Sequence, residues 1–151
     1  MTTHASALKY GIVPVQGEGL LSATVSRMLD ADDGTGRLSR SLMPGEPLPL
    51  GALAVLVADT TVYGTLRVEQ LLRQWDPRVP RPWLVWVADA PARPAPAARF
   101  RIRALQARLA GVSQLPYLGV LRMVETPDEA MADKDVQSAA ATLRRAIERN
   151  G

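Results

Sequence analysis

At 151 residues, with 47% hydrophobic side chains and a mean hydropathy near zero, the chain has the size and composition of one soluble domain with a single core. It has no cysteine and one histidine, His4, in a polar N-terminal stretch; this excludes disulfides, thiol chemistry and cysteine-based zinc sites, and argues against a Ser-His-Asp triad or a two-histidine metal site. The net charge of +3 is too small an excess to point to nucleic acid by itself, and no apolar run approaches the roughly 20 residues of a membrane span.

Residues 1–9 lack the basic start and hydrophobic middle of a signal peptide. They read as a flexible tail, ahead of a single domain over residues 10–150, and the expected localisation is cytoplasmic. Residues 11–15 (GIVPV) read as a strand feeding a glycine-containing turn, although Pro14 donates no ladder hydrogen bond and suits an edge strand or a strand end. Leu21, Val25, Met28 and Leu29 then form one apolar helical stripe. Residues 30–50, with three prolines and three glycines, read as a long loop with one short turn of structure near 38–42. The acidic run Asp30, Asp32, Asp33 lacks the later ligands of an EF-hand and reads as a solvated helix end.

Residues 52–59 (ALAVLVAD) form a continuous apolar run of the kind shown by parallel strands buried on both faces. A turn over 60–64 leads to the stripe Val68, Leu71, Leu72 and Trp75, a second helix stopped by the proline-rich stretch 76–82. Residues 82–89 (PWLVWVAD) repeat the strand pattern, followed by a helix over about 97–109 and a short strand over 111–115. Residues 118–124 (LGVLRMV) fit either a helical turn or a brief strand, and the last helix runs over about 134–149. Strands alternating with amphipathic helices predict a three-layer, Rossmann-like α/β fold with a mainly parallel sheet of four to five strands. Ligands of such sheets gather beyond the C-terminal strand ends, which puts residues 17–24, 59–61 and 89–91 on one rim.

Residues 17–24 (GEGLLSAT) match the spacing of a P-loop, G-x-x-x-x-G-K-[ST], with Ser22 for the second glycine, Ala23 for the lysine and Thr24 retained. The missing lysine is the point charge that reaches the β/γ-phosphates. Two readings stay open. In one, Gly17, Gly19, Ser22 and the backbone N–H groups still bind an anion, with Thr24 and the strand-end aspartates Asp59 and Asp89 available to magnesium. In the other, the segment is a plain strand-to-helix turn, and each aspartate caps the helix or turn after it. The arginines 93, 99, 101, 103, 108, 144, 145 and 149 give a diffuse basic surface, read either as solvated or as a face for nucleic acid or an acidic partner; Trp75, Trp83 and Trp86 lie in or beside apolar runs and read as core.

With the order strand, GEGLLSAT, helix, VLVADTTVYG, helix, WLVWVADAPARP, helix, SQLPYLGVLR on the page, the chain resembles the MinD/ParA-type P-loop proteins, in particular short relatives from GC-rich bacteria with a degenerate Walker A motif. The resemblance implies a P-loop NTPase-like sheet and a catalytically inactive domain without a cofactor. Its role would be to bind or assemble a protein partner in DNA mobilisation, partition or secretion. The alternative it leaves is residual binding of ATP or GTP with magnesium. Loss of the strands beside the P-loop strand would make strand 1 an edge and account for Pro14.

Overall fold

The computed structural model describes residues 8–30 and 37–150; His4, Asp32 and Asp33 lie outside the described residues. Among these, five strands form one all-parallel sheet: β1 (Tyr10–Pro14), β2 (Ser39–Ser41), β3 (Leu53–Asp59), β4 (Trp83–Val87) and β5 (Gly111–Leu115), in the order β2-β1-β3-β4-β5. The helices are α1 (Leu20–Leu29), α2 (Val62–Arg73), α3 (Pro96–Leu105), α4 (Pro127–Met131) and α5 (Lys134–Asn150).

The period-2 alternation of the strands sorts the core into two layers. Ile12, Val55, Val57, Val85 and Val87 face α1 and α5, meeting Val25, Met28, Val136 and Leu143. Leu56, Ala58, Leu84 and Trp86 face α2 and α3, meeting Val68, Leu72, Ala98 and Ile102. The result is a three-layer, Rossmann-like α/β fold, with the doubly wound order in which the chain turns back between β1 and β3.

Residues 39–41, inside the expected long loop, form β2, which pairs with Tyr10, Gly11 and Ile12. Strand 1 is therefore paired on both sides and is not an edge. Pro14 is tolerated for a different reason. Along β1 the even-numbered residues turn their backbone groups towards β2 and the odd-numbered ones towards β3, as the bonds from Leu42 N–H to Ile12 O and from Val15 N–H to Val57 O show. Pro14 thus faces β2, whose pairing ends at Ser41. The missing donor therefore falls beyond the last paired rung of that ladder.

The β2-to-β3 connection contains no helix; Leu42 and Leu48 pack over Gly11, where a side chain would crowd them. Residues 119–122 adopt a 3₁₀ turn, deciding the open reading of that stretch in favour of a helical turn. Helix α4 starts at a threonine cap: the Thr126 hydroxyl accepts from Glu129 N–H at 3.1 Å, with Pro127 at the first helical position. No helix of the described residues is long and apolar enough to cross a membrane.

Candidate functional site

The crevice between the C-terminal ends of β1 and β3 is where doubly wound sheets bind their ligands. Here it is bridged by the chain's own side chains. Gln16, in the turn after β1, accepts from Asp59 N–H at 2.8 Å through Oε1, and its Nε2 donates to Asp59 Oδ2 at 3.2 Å. The other carboxylate oxygen, Oδ1, accepts from Thr61 N–H at 3.0 Å and from the Thr61 hydroxyl. That hydroxyl in turn accepts from Gly64 N–H at 2.9 Å, capping α2. Asp59 is thereby engaged on both oxygens, in the geometry of an aspartate that organises the start of the next helix.

Position 64 has to be glycine for this arrangement to close. A Cβ there would lie 2.6 Å from both the carbonyl oxygen and Oδ1 of Asp59, and 3.1 Å from Gln16 Oε1. Starting α2 at Val62, earlier than the predicted turn over 60–64 allows, packs this backbone directly onto the strand end.

One strand along, Thr60 joins the ends of β3 and β4. Its N–H donates to Val87 O at 3.0 Å, its hydroxyl to Asp89 Oδ1 at 2.8 Å, and Asp89 N–H donates back to the Thr60 hydroxyl at 3.1 Å. Thr60 is buried and Asp89 exposed. Asp59 and Asp89 are thus held in separate local networks. No group of three or more His, Cys, Asp or Glu residues able to hold a metal occurs among the described residues.

The segment 17–24 divides between turn and helix. Gly17 takes φ +97°, which favours glycine, and its N–H closes a turn on Pro14 O at 3.1 Å. Gly19 caps α1, and its N–H is satisfied by Ser22 Oγ at 3.2 Å. Helix α1 begins at Leu20, so five of the eight motif positions are helical and only residues 15–19 are left to connect strand and helix. The Thr24 side chain is fully buried, with its hydroxyl donating to Leu20 O at 2.7 Å within the same helix. In this arrangement the residues do not present the donor set of a magnesium–nucleotide site: no lysine reaches the turn, the Thr24 hydroxyl points into its own helix, and Asp59 is bonded on both oxygens.

Of the predicted residues, Gly17, Gly19, Asp59 and Asp89 lie at the C-terminal rim and Ser22 in the first turn of α1, while Thr24 is withdrawn from it. Gln16, Thr60, Thr61 and Gly64 complete the rim, and only the Asp-Thr-Thr sequence after β3 carried a signal for them. Several arginines of the expected basic surface serve the fold. Arg101 pairs with Glu69 at 3.2 Å and bonds the Thr65 hydroxyl at 3.2 Å, Arg99 donates to Pro94 O at 3.2 Å, and Arg144 caps α1 through Met28 O at 2.7 Å. A small open depression of about 170 Å³ lies elsewhere, on the flank of α2 between Val15, Arg67, Gln70, Leu71 and Gln74.

Compared with models of known protein families, with curated proteins and with solved structures, the chain matches none.

Proposed function

We propose that the chain is a catalytically inactive α/β domain, of the MinD/ParA-like kind its sequence resembles, that acts as a protein-binding or assembly factor. The observation that carries this reading is the Gln16–Asp59 bridge. It spans the crevice that a nucleotide would enter and occupies the carboxylate that would hold its magnesium. Ala23 in place of the lysine removes the charge that a triphosphate needs, and the buried Thr24 hydroxyl removes the second metal ligand. A rim whose polar groups are satisfied internally suits a scaffold whose outer helix faces make the contacts.

The test is twofold. Purified protein incubated with ATP or GTP and magnesium releases no phosphate above an Asp59→Asn control, and millimolar nucleotide leaves its melting temperature unchanged. A ligand bound only by the folded state would raise that temperature by mass action. Phosphate release above the control defeats the inactive reading. A nucleotide-dependent rise in melting temperature without turnover would instead favour residual nucleotide binding through the N–H groups at the start of α1.

A further inference from the structure

Charge is segregated along this chain more sharply than its net +3 suggests. Residues 90–110 contain five arginines and no carboxylate, whereas residues 125–135 contain five carboxylates and one lysine. The fold puts the two blocks on opposite sides of the sheet. Helix α3 packs with α2 on one face, and α4, which carries Asp128 and Glu129 of the acidic block, packs with α1 and α5 on the other.

An exposed apolar side chain accompanies each block, within the basic one and just before the acidic one. Phe100, the only phenylalanine, is 74% exposed on the outward side of α3, one turn from Arg103. Arg101 fixes this helix against α2 through Glu69, Thr65 and the Val62 carbonyl, so Phe100 is presented on a rigid support. The Arg103 and Arg108 guanidinium groups form no hydrogen bond or ion pair among the described residues. On the acidic side Met123 is 83% exposed beside Glu125, and the Glu125 and Asp135 carboxylates are likewise without partners among the described residues. An exposed aromatic side chain on a helix whose cations are all arginines has the composition of an interface centre rather than of a solvated face.

The geometry points to head-to-tail self-association, in which the Phe100–Arg103 face of α3 docks on the Met123–Asp135 segment of a second copy. The two surfaces are complementary in charge and each supplies an exposed apolar side chain. Because they lie on opposite layers, one molecule cannot satisfy both by itself. A contact of this kind is heterologous, so it propagates into a ring or an open chain. Helix α3 is ten residues long, about 15 Å, which makes the contact small and the association weak, concentration-dependent and salt-sensitive.

This inference rests on the assembly reading above, but its test is separate. Sedimentation of the full chain without nucleotide, across a concentration series, gives a mass that rises above 16.3 kDa at about 0.02 M salt and returns to the monomer at about 0.5 M. The variants Phe100→Ser/Arg103→Ser and Met123→Ser/Glu125→Gln/Asp135→Asn change exposed side chains and keep the wild-type melting profile. Each alone stays monomeric, and their equimolar mixture forms a species of twice the monomer mass, because one intact contact survives between them. A monomer at every concentration and salt overturns the proposal, as does self-association that both variants retain. Capture of a labelled single-stranded oligonucleotide by a protein that stays monomeric also overturns it, and assigns the arginine face to nucleic acid. Nucleotide hydrolysis would undo the inactive reading and leave this contact standing, whereas a strictly monomeric protein would do the reverse.

Discussion

Gln16 and Asp59, 43 residues apart in the chain, hold one another by two hydrogen bonds, one to the main chain and one to the carboxylate, across the gap between β1 and β3. The turn after β1 and the start of α2 are tied together by this single amide. In Gln16→Ala both bonds are lost at a site open to water, which replaces part of what they contribute. The expected loss is about 1 kcal/mol, a fall in melting temperature of roughly 2–4 °C for a chain of this size. Urea unfolding of the two proteins measures it, and equal midpoints would mean that water substitutes fully for the amide.

Gly64→Ala separates helix propensity from packing. Alanine is favoured over glycine inside a helix by about 1 kcal/mol, so propensity alone predicts stabilisation. The added Cβ would, however, lie 2.6 Å from two oxygens of Asp59, one of them main chain, where no flexible end can give way. Overpacking of this kind costs about 1–3 kcal/mol and should win. The expected outcome is a net destabilisation, read as a lower denaturation midpoint, together with loss of the Asp59 N–H protection that the Gln16 bond confers.

Gly111→Ala is a second steric test, on the far side of the sheet. Its Cβ would lie 2.3 Å from the ring of Trp83, which is buried and anchored by its indole N–H on Ser113 Oγ at 3.0 Å. The ring cannot swing away without breaking that bond. A loss of about 2–3 kcal/mol is expected, with a change in tryptophan fluorescence that Gly64→Ala does not produce.

Glu46 supplies a pH prediction. Its carboxylate takes a two-pronged bond from the Arg40 guanidinium and accepts Met43 N–H at 2.9 Å, and together these hold its pKa down to about 2 from an ordinary 4.5. The folded-state value is depressed, so the contribution to stability is fully present above pH 4.5 and is lost as the pH falls towards 2. Carboxyl NMR should show Glu46 titrating near 2. In Glu46→Gln the change in stability between pH 5 and pH 2 should be smaller than in the wild type, and a Glu46 midpoint near the ordinary glutamate value would contradict the pairing.

What the sequence made legible follows from how each element is held. Strands β3 and β4 are buried on both faces and so read as unbroken apolar runs, LAVLVAD and WLVWV. Strand β2 has the sequence Ser-Arg-Ser and no apolar alternation, because polar side chains fix it, and no periodicity could reveal that. Helix α4 carries a readable Thr-Pro-Asp-Glu start but is only five residues long, too short for an apolar stripe. At the rim, Asp59 and Asp89 stood out because they end apolar runs. Gln16 did not, since an amide that anchors a strand end 43 positions away has no local signature.

The polar attachment of β2 gives the last prediction. Asp30, at the end of α1, is almost wholly buried and not the solvated helix end its sequence suggests: it accepts through Oδ1 from Leu38 N–H at 3.0 Å, Ser39 N–H at 3.1 Å and the Ser39 hydroxyl at 2.9 Å, while Arg27 and Arg37 lie within 3.8 Å of Oδ2. Ser39 and Ser26, both buried, share a further hydroxyl contact of 2.7 Å. With three β1 residues as its only ladder partners, β2 depends on this carboxylate more than on the sheet. In Asp30→Ala the N–H groups of Leu38 and Ser39 lose their acceptor in a place water reaches poorly, and bonds to a charged group contribute about 1.5–3 kcal/mol each. Hydrogen exchange should show residues 38–41 losing protection well ahead of β3 and β4, a local opening rather than global unfolding. Equal loss across all five strands would mean that β2 is held by the sheet and not by Asp30.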